Sequence, residues 1–336
     1  MFSKYVIREN ATQSKKSHHP RRNRGVTACM CLAILSFASC YGLNQTSESN
    51  NWSIENFITG ERVVSLCDVA YFSEAYLAEF GAMRKYASSV ITVESAHMAP
   101  ATIHRKVNES FIFFLKLDWV EQFKRDVLPL IHKPFILVSH NSDHLAGADL
   151  ELLNNPLLKA WYGQNMLPHE KTKGVPIGLE NVLWGRTDFE HIRKCRRNMK
   201  TNLLYFQFSD YSNSARPGIR SSLRKNGFQE NKETDWQSYI SELSTHKFCV
   251  APPGNGIDTH RAWECIYLGV VPIILRSNVM LSWFQQATIL WVESYEEITH
   301  DRLMEFVMPE ESIPEVSKLN KLHQELSRQR ALLDGQ

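Results

Sequence analysis

The sequence has little net charge and few of the short motifs that announce catalysis. Its 336 residues carry 38 Lys and Arg against 36 Asp and Glu, a formal balance of +2, which gives no reason to expect nucleic acid as a partner. No C-x-x-C occurs, which excludes zinc ribbons and thioredoxin-like redox chemistry. The absence of G-x-x-x-x-G-K-[ST] excludes a P-loop, and that of H-E-x-x-H and G-x-S-x-G counts against zinc and serine hydrolases. There is no internal repeat or low-complexity tract, so solenoids are out. What is present, 43% hydrophobic, 11% aromatic and 22% charged residues, describes a globular chain rather than a disordered, collagen-like or coiled-coil one.

The small total charge hides an uneven split. Residues 1–24 carry a balance of +6 and the remainder one of −4. Residues 25–43 then run without a charge, and at helical rise 19 residues span about 28 Å, close to a hydrocarbon core. Positive charge on the N-terminal side favours an N-in, C-out orientation, so this reads as a signal-anchor of a type II single-pass membrane protein with a lumenal body. The alternatives are a cleaved signal peptide, a bacterial lipoprotein signal ending at Cys40, and a buried helix. Residues 44–60 are polar and read as a stem. Sequons at Asn44, Asn51 and Asn108 would be usable in a lumenal body. Of seven cysteines, Cys67, Cys195, Cys249 and Cys265 fall in the body. Disulfides there would suit a secretory compartment, and buried free thiols fit the apolar runs around Cys249 and Cys265.

Beyond the stem, short apolar runs alternate with helical patterns, which predicts an α/β fold with parallel sheets. Strands are expected over Arg62–Val69, Ser89–Val93, Phe111–Leu117, Phe135–Ser139 and Gly174–Ile177. Helices are expected over Ser73–Ala87, from an Asp118 cap through Val127, and around Leu150–Tyr162. A polar bridge follows, and a second series begins with a strand at Leu203–Phe208 and a loop holding Asn213 and Arg216. The arrangement predicts two Rossmann-like domains, 61–184 and 185–336, with the ligand in the groove between them.

Lys247–Leu275 is the segment richest in chemistry. It orders a buried strand, a Pro-Pro-Gly-Asn-Gly turn, a helix over Thr259–Leu268, Gly269 as helix terminator, and another buried strand. Gly254, Asn255 and Gly256 would let backbone N–H groups approach a ligand closely, with Asp258 as helix cap and the helix N-terminus favouring an anion. No third glycine completes G-x-G-x-x-G, and Arg276 rather than an acid follows the next strand, which disfavours NAD. Arg261 and Glu264 share a helix face. A guanidinium for phosphate and a carboxylate for ribose hydroxyls would suit a nucleotide-diphospho-sugar, and the plain alternative is a surface ion pair.

This segment, P-P-G-N-G-I-D-T-H-R-A-W-E, resembles the donor-binding segment of exostosin-like (family 47-like) glycosyltransferases, in their short form. FILVSHNSD at Phe135–Asp143, WYGQN at Trp161–Asn165, VPIGLEN at Val175–Asn181 and WVESYEEI at Trp291–Ile298 are similar to further segments of that family, in the same order. The resemblance covers roughly residues 110–305. It implies a GT-B-like fold of two facing Rossmann-like domains and transfer of a sugar from a nucleotide-sugar to a glycan or glycoprotein, in the Golgi of a eukaryotic cell. It also implies Glu264 on the ribose, and Arg261 with Arg216 on the diphosphate, with His260 in the same binding segment. No Asp-x-Asp is present, which favours neutralisation of the leaving group by arginines and a helix N-terminus, without a metal or other cofactor. His140 and Asp143, after strand Phe135–Ser139, are the candidate catalytic base and its partner. A zinc site on His140 and His144, or a non-catalytic sugar- or nucleotide-binding relative, are the competing readings.

Overall fold

The computed structural model describes residues 54–98, 100–185, 187–277, 287–307 and 318–335. The basic tail, the uncharged span and the sequons at Asn44 and Asn51 lie outside them. Among the described residues no helix is long and apolar enough to cross a membrane.

Ten strands among those residues form two sheets in which every pairing is parallel. The first contains β1 (Val69–Phe72), β2 (Val90–Thr92), β3 (Ile112–Leu115), β4 (Phe135–Ser139), β5 (Leu158–Gly163) and β6 (Thr172–Gly174), in the order β2-β1-β3-β4-β5-β6. The second contains β7 (Asn202–Tyr205), β8 (His246–Val250), β9 (Val271–Leu275) and β10 (Leu290–Val292), in the order β10-β9-β8-β7. β3 (IFFL) and β4 (FILVS) are buried at every residue, as parallel strands covered on both faces require. The described residues make one compact unit, and one apolar cluster runs from Phe113 and Leu137 in the first sheet to Tyr205, Trp263 and Ile274 in the second region. The helix Leu319–Asp334 returns to the first sheet, where Leu326 is buried and Glu325 accepts from Tyr162 Oη at 3.0 Å.

The α/β expectation holds, with local corrections. Residues 60–64 are helical rather than the start of a strand, because Thr59 caps the turn and its Oγ1 accepts from the Arg62 N–H. The helix expected around Leu150–Tyr162 stops at Asn154. Pro156 cannot continue it, and Leu158–Gly163 becomes β5 beside β4. Asp118 caps no helix. It lies in a 3-10 turn, pairs with Lys116, and leaves Trp119 as the N-cap without a side-chain bond. Gly269 does end its helix in the left-handed region, at φ 70°.

Candidate functional site

In the first sheet the strand order reverses between β1 and β3, the kind of place where parallel sheets open a crevice at their carboxyl edge. An open cleft of about 410 Å³ lies at that edge, over the carboxyl ends of β3, β4 and β5. Lys116 and Asp118 follow β3, Asp143 and His144 follow β4, and Trp184 and His260 complete its wall. Burial raises the Asp118 carboxyl, but bonds from Lys116 and Ser142 prevail and hold it below its usual range.

The second sheet presents the Pro-Pro-Gly-Asn-Gly turn after β8. Arg216, on the first turn of the helix Arg216–Lys225, clamps it. Its Nε donates to the Pro253 carbonyl at 2.9 Å, and its NH1 to that of Ser209 at 2.8 Å. Asn213 Nδ2 adds a bond to the Gly254 carbonyl at 3.0 Å. Arg261 donates to the Gln207 carbonyl just beyond β7, and its guanidinium lies 5.1 Å from the Tyr239 ring centre and 5.9 Å from that of Tyr205. Burial first, and then the charge of Arg261, pull the Arg216 pKa below its ordinary value. Neither arginine forms an ion pair among the described residues. Two guanidiniums therefore share one loop without a bonded carboxylate, an arrangement suited to an anion of two charges.

Glu264 lies one turn along from Arg261 and is 7% exposed. Its Oε2 accepts from Tyr239 Oη at 2.7 Å and its Oε1 from Trp236 Nε1 at 3.3 Å, so both oxygens are engaged within the protein. Asp258 corrects the expectation of a helix cap. Thr259 holds that position, with no side-chain bond. The buried Asp258 carboxylate instead accepts from the Ile177 N–H at 2.8 Å and from Trp263 Nε1 at 2.7 Å. Burial raises its pKa to about 7 against these bonds.

Asp258 belongs to a polar seam joining the two edges. Asn165, at φ 49° after β5, accepts from the Asp258 N–H at 2.9 Å. A Cβ on Gly256 would stand 2.8 Å from Asn165 Nδ2, so this glycine is needed for close approach to Asn165. Gly254 makes no such approach beyond 3.4 Å from Arg216, and Asn255 is exposed at the turn. His260 Nδ1 bonds the Gly178 carbonyl at 2.9 Å, which fixes its tautomer and leaves Nε2 as the acceptor nitrogen.

His140 is 1% exposed, and its Nε2 lies 3.0 Å from the Pro176 carbonyl. Burial depresses its pKa to about 4, so the ring is neutral near pH 7. It does not line the cleft, whereas Asp143 and His144 do, on the exposed loop. Among the described residues no group of three or more His, Cys, Asp or Glu converges as metal ligands.

Several residues of the seam were not anticipated. Glu61 is buried, and its Oε1 accepts from the Val182 N–H at 2.6 Å. Asn181 Oδ1 accepts from the Glu61 N–H at 3.1 Å, and Asn181 Nδ2 donates to Asn141 Oδ1 at 3.2 Å. Gln164 Oε1 accepts from the Asn141 N–H, which holds Asn141 at φ 59°. Asn141, Gln164, Asn165 and Asn181 fall inside the quoted motifs. The signal for them is a run of turn-forming amides after buried strands.

By fold, the described residues form an α/β protein of parallel, Rossmann-like sheets. No family model and no curated protein matches the chain.

Proposed function

We propose that the protein transfers a sugar from a nucleotide-diphospho-sugar to a hydroxyl acceptor, on a GT-B-like pair of facing sheets. The observation that carries this reading is the pair Arg216 and Arg261, held on the carboxyl edge of the second sheet with no bonded carboxylate. In this reading the diphosphate lies against their remaining N–H groups and the Gly254–Gly256 turn. Glu264 acts from behind, as one of the electronegative groups that favour the charged Arg261. Its engaged oxygens suit that role better than a direct ribose contact.

Transfer is one displacement. The acceptor oxygen bonds to the anomeric carbon, the bond from that carbon to the diphosphate oxygen breaks, and the acceptor proton passes to a base. His260 Nε2 is the group best suited to that proton, since its other nitrogen is fixed on Gly178 and the residue lines the cleft. Asp143, exposed on the opposite wall, is the second candidate. His140 supports the loop from beneath through Pro176. The leaving diphosphate is met by Arg216 and Arg261, oriented before the reaction by carbonyl bonds.

The test is release of nucleoside diphosphate from a panel of nucleotide-sugars. Arg261→Ala should remove turnover and weaken nucleoside diphosphate binding by roughly 10- to 100-fold, whereas His260→Gln should lower kcat and keep that binding. Unchanged turnover in Arg261→Ala would remove the donor site.

A further inference from the structure

The open cleft at the first edge, about 410 Å³, falls within the size range of small-molecule sites, about 300–1,000 Å³. Of the ten residues lining it, only Ile177 and Trp184 are apolar, and the other eight carry hydrogen-bonding side chains. At 36% exposure, Trp184 is the most exposed tryptophan among the described residues, whereas Trp161 and Trp263 are buried in the core. Its ring stands in a cleft wall rather than alone on a convex surface, where a ligand can complete its burial.

The indole is held in that wall by its own turn. Trp184 ends the 3-10 turn Val182–Trp184, its N–H donates to the Asn181 carbonyl at 3.1 Å, and Gly185 at φ 72° turns the chain away. Glu61 ties down the start of the turn. Its buried carboxylate accepts from the Val182 N–H at 2.6 Å, and its own N–H donates to Asn181 Oδ1 at 3.1 Å. Phe80 packs edge-on against the indole, with ring centres 5.7 Å apart and planes at 61°. A ring fixed in advance loses little freedom when a ligand covers it.

The rest of the wall selects the ligand. Asp143 and His144 are exposed and are bonded only through their backbones, so a carboxylate and an imidazole are open to hydroxyl groups. Lys116 is the only Lys or Arg in the wall, and it is taken up by Asp118 and by the Trp119 ring, whose centre lies 5.2 Å from its Nζ. No cation is therefore left over for a carboxylate or phosphate, and the formal charge of the wall, histidines aside, is −1 from Asp143. An ammonium group would have only that solvent-screened carboxylate to pair with, because Asp118 already accepts from Lys116 and Ser142. One flat apolar face with a polar, uncharged rim describes a sugar ring.

We infer that this cleft takes one ring of an uncharged saccharide, its C–H face stacked on Trp184 and its hydroxyls bonded to Asp143 and His144. Calling that saccharide the acceptor rests on the sugar-transfer reading.

The experiment is saturation-transfer NMR on the full chain with the methyl glycosides of glucose, galactose, xylose, mannose, glucosamine and glucuronic acid, alongside thermal shifts with UDP and GDP. At least one neutral glycoside should bind, with the strongest saturation on the C–H protons of one ring face. Trp184→Ala should weaken it by about tenfold. Trp184→Phe, which keeps a ring against Phe80 and so guards against misfolding, should weaken it by less, and His144→Ala by a few-fold. The nucleotide shift should be the same in all three variants. No neutral glycoside bound, wild-type affinity in both Trp184 variants, or a charged glycoside bound best would each overturn the inference. A nucleotide shift with no glycoside binding sinks the cleft assignment alone. Glycoside binding that depends on Trp184, with no nucleotide shift, sustains the cleft assignment and sinks the transfer reading.

Discussion

At the carboxyl edge of the second sheet, Arg216 and Arg261 place N–H groups on the carbonyls of Gln207 and Ser209 after β7 and of Pro253 after β8, which ties these two loops together. At the facing edge of the first sheet, Glu61, Tyr76 and Asn141 each keep a buried atom without a partner. The difference follows from topology. β7 to β10 lie in chain order and leave no reversal, so that edge offers a loop and two guanidiniums. At the first edge the order turns at β1, and an open cleft lies over the carboxyl ends of β3, β4 and β5. One edge holds a clamped loop and two guanidiniums, and the other an open cleft.

The largest expected effect comes from disturbing the backbone that accepts from His260. Gly178 has φ 66°, and a Cβ there would stand 2.2 Å from the Ile58 carbonyl oxygen, a backbone atom that cannot step aside. Gly178→Ala should cost on the order of 3 kcal/mol or more, read as a Tm drop or loss of soluble protein. Next is the charge of the second edge. Arg216→Ala and Arg261→Ala should each weaken nucleoside diphosphate binding by roughly 10- to 100-fold, from charge-assisted bonds of about 1.5–3 kcal/mol.

The buried titrating groups of the seam sharpen it by pH. His140 has its pKa depressed to about 4 from an ordinary 6.5, so between those values the unfolded chain binds more protons and stability falls as pH falls. Asp258 is raised to about 7 from 3.8, so the folded chain binds more protons in that window and stability falls as pH rises. The two slopes oppose each other between about pH 4 and 6.5. Asp258→Asn should therefore unmask a Tm that rises with pH over that range, and His140→Asn one that falls. Identical Tm profiles in the two variants would contradict the assignment of either group.

Gly256→Ala is the smallest of these effects. Its Cβ would meet Asn165 Nδ2 at 2.8 Å, a side-chain end that can shift, so about 1 kcal/mol is expected. The bond from the Asp258 N–H to Asn165 should loosen, seen as faster amide exchange at Asp258.

Much of the fold was legible because parallel strands buried on both faces are continuous apolar runs, as Phe135–Ser139 shows. β5 was not, since Leu158–Gly163 reads as a helical continuation until Pro156 is given its weight. Within the site, Arg216, Arg261 and His260 stand out by residue type and by their place after a strand. The packing around them does not. Nothing in the local sequence says that Asp258 turns from its own helix end to the Ile177 N–H, or that Glu264 is taken up by Tyr239. The first joins the two edges across 81 positions, and the second joins two helices of the second region 25 positions apart. Glu61 was the hardest to foresee, because its weight lies in a bond to the distant Val182 N–H.

Everything proposed for the second edge depends on its binding a nucleoside diphosphate through Arg261 and Arg216. It is tested most directly by thermal shift of the wild type and Arg261→Ala with UDP, GDP, ADP and CDP. A concentration-dependent rise in Tm is expected with at least one diphosphate, and a rise at least tenfold less sensitive to concentration in Arg261→Ala, each measured from that variant's own ligand-free Tm. No shift with any diphosphate, or an equal shift in Arg261→Ala, would contradict it.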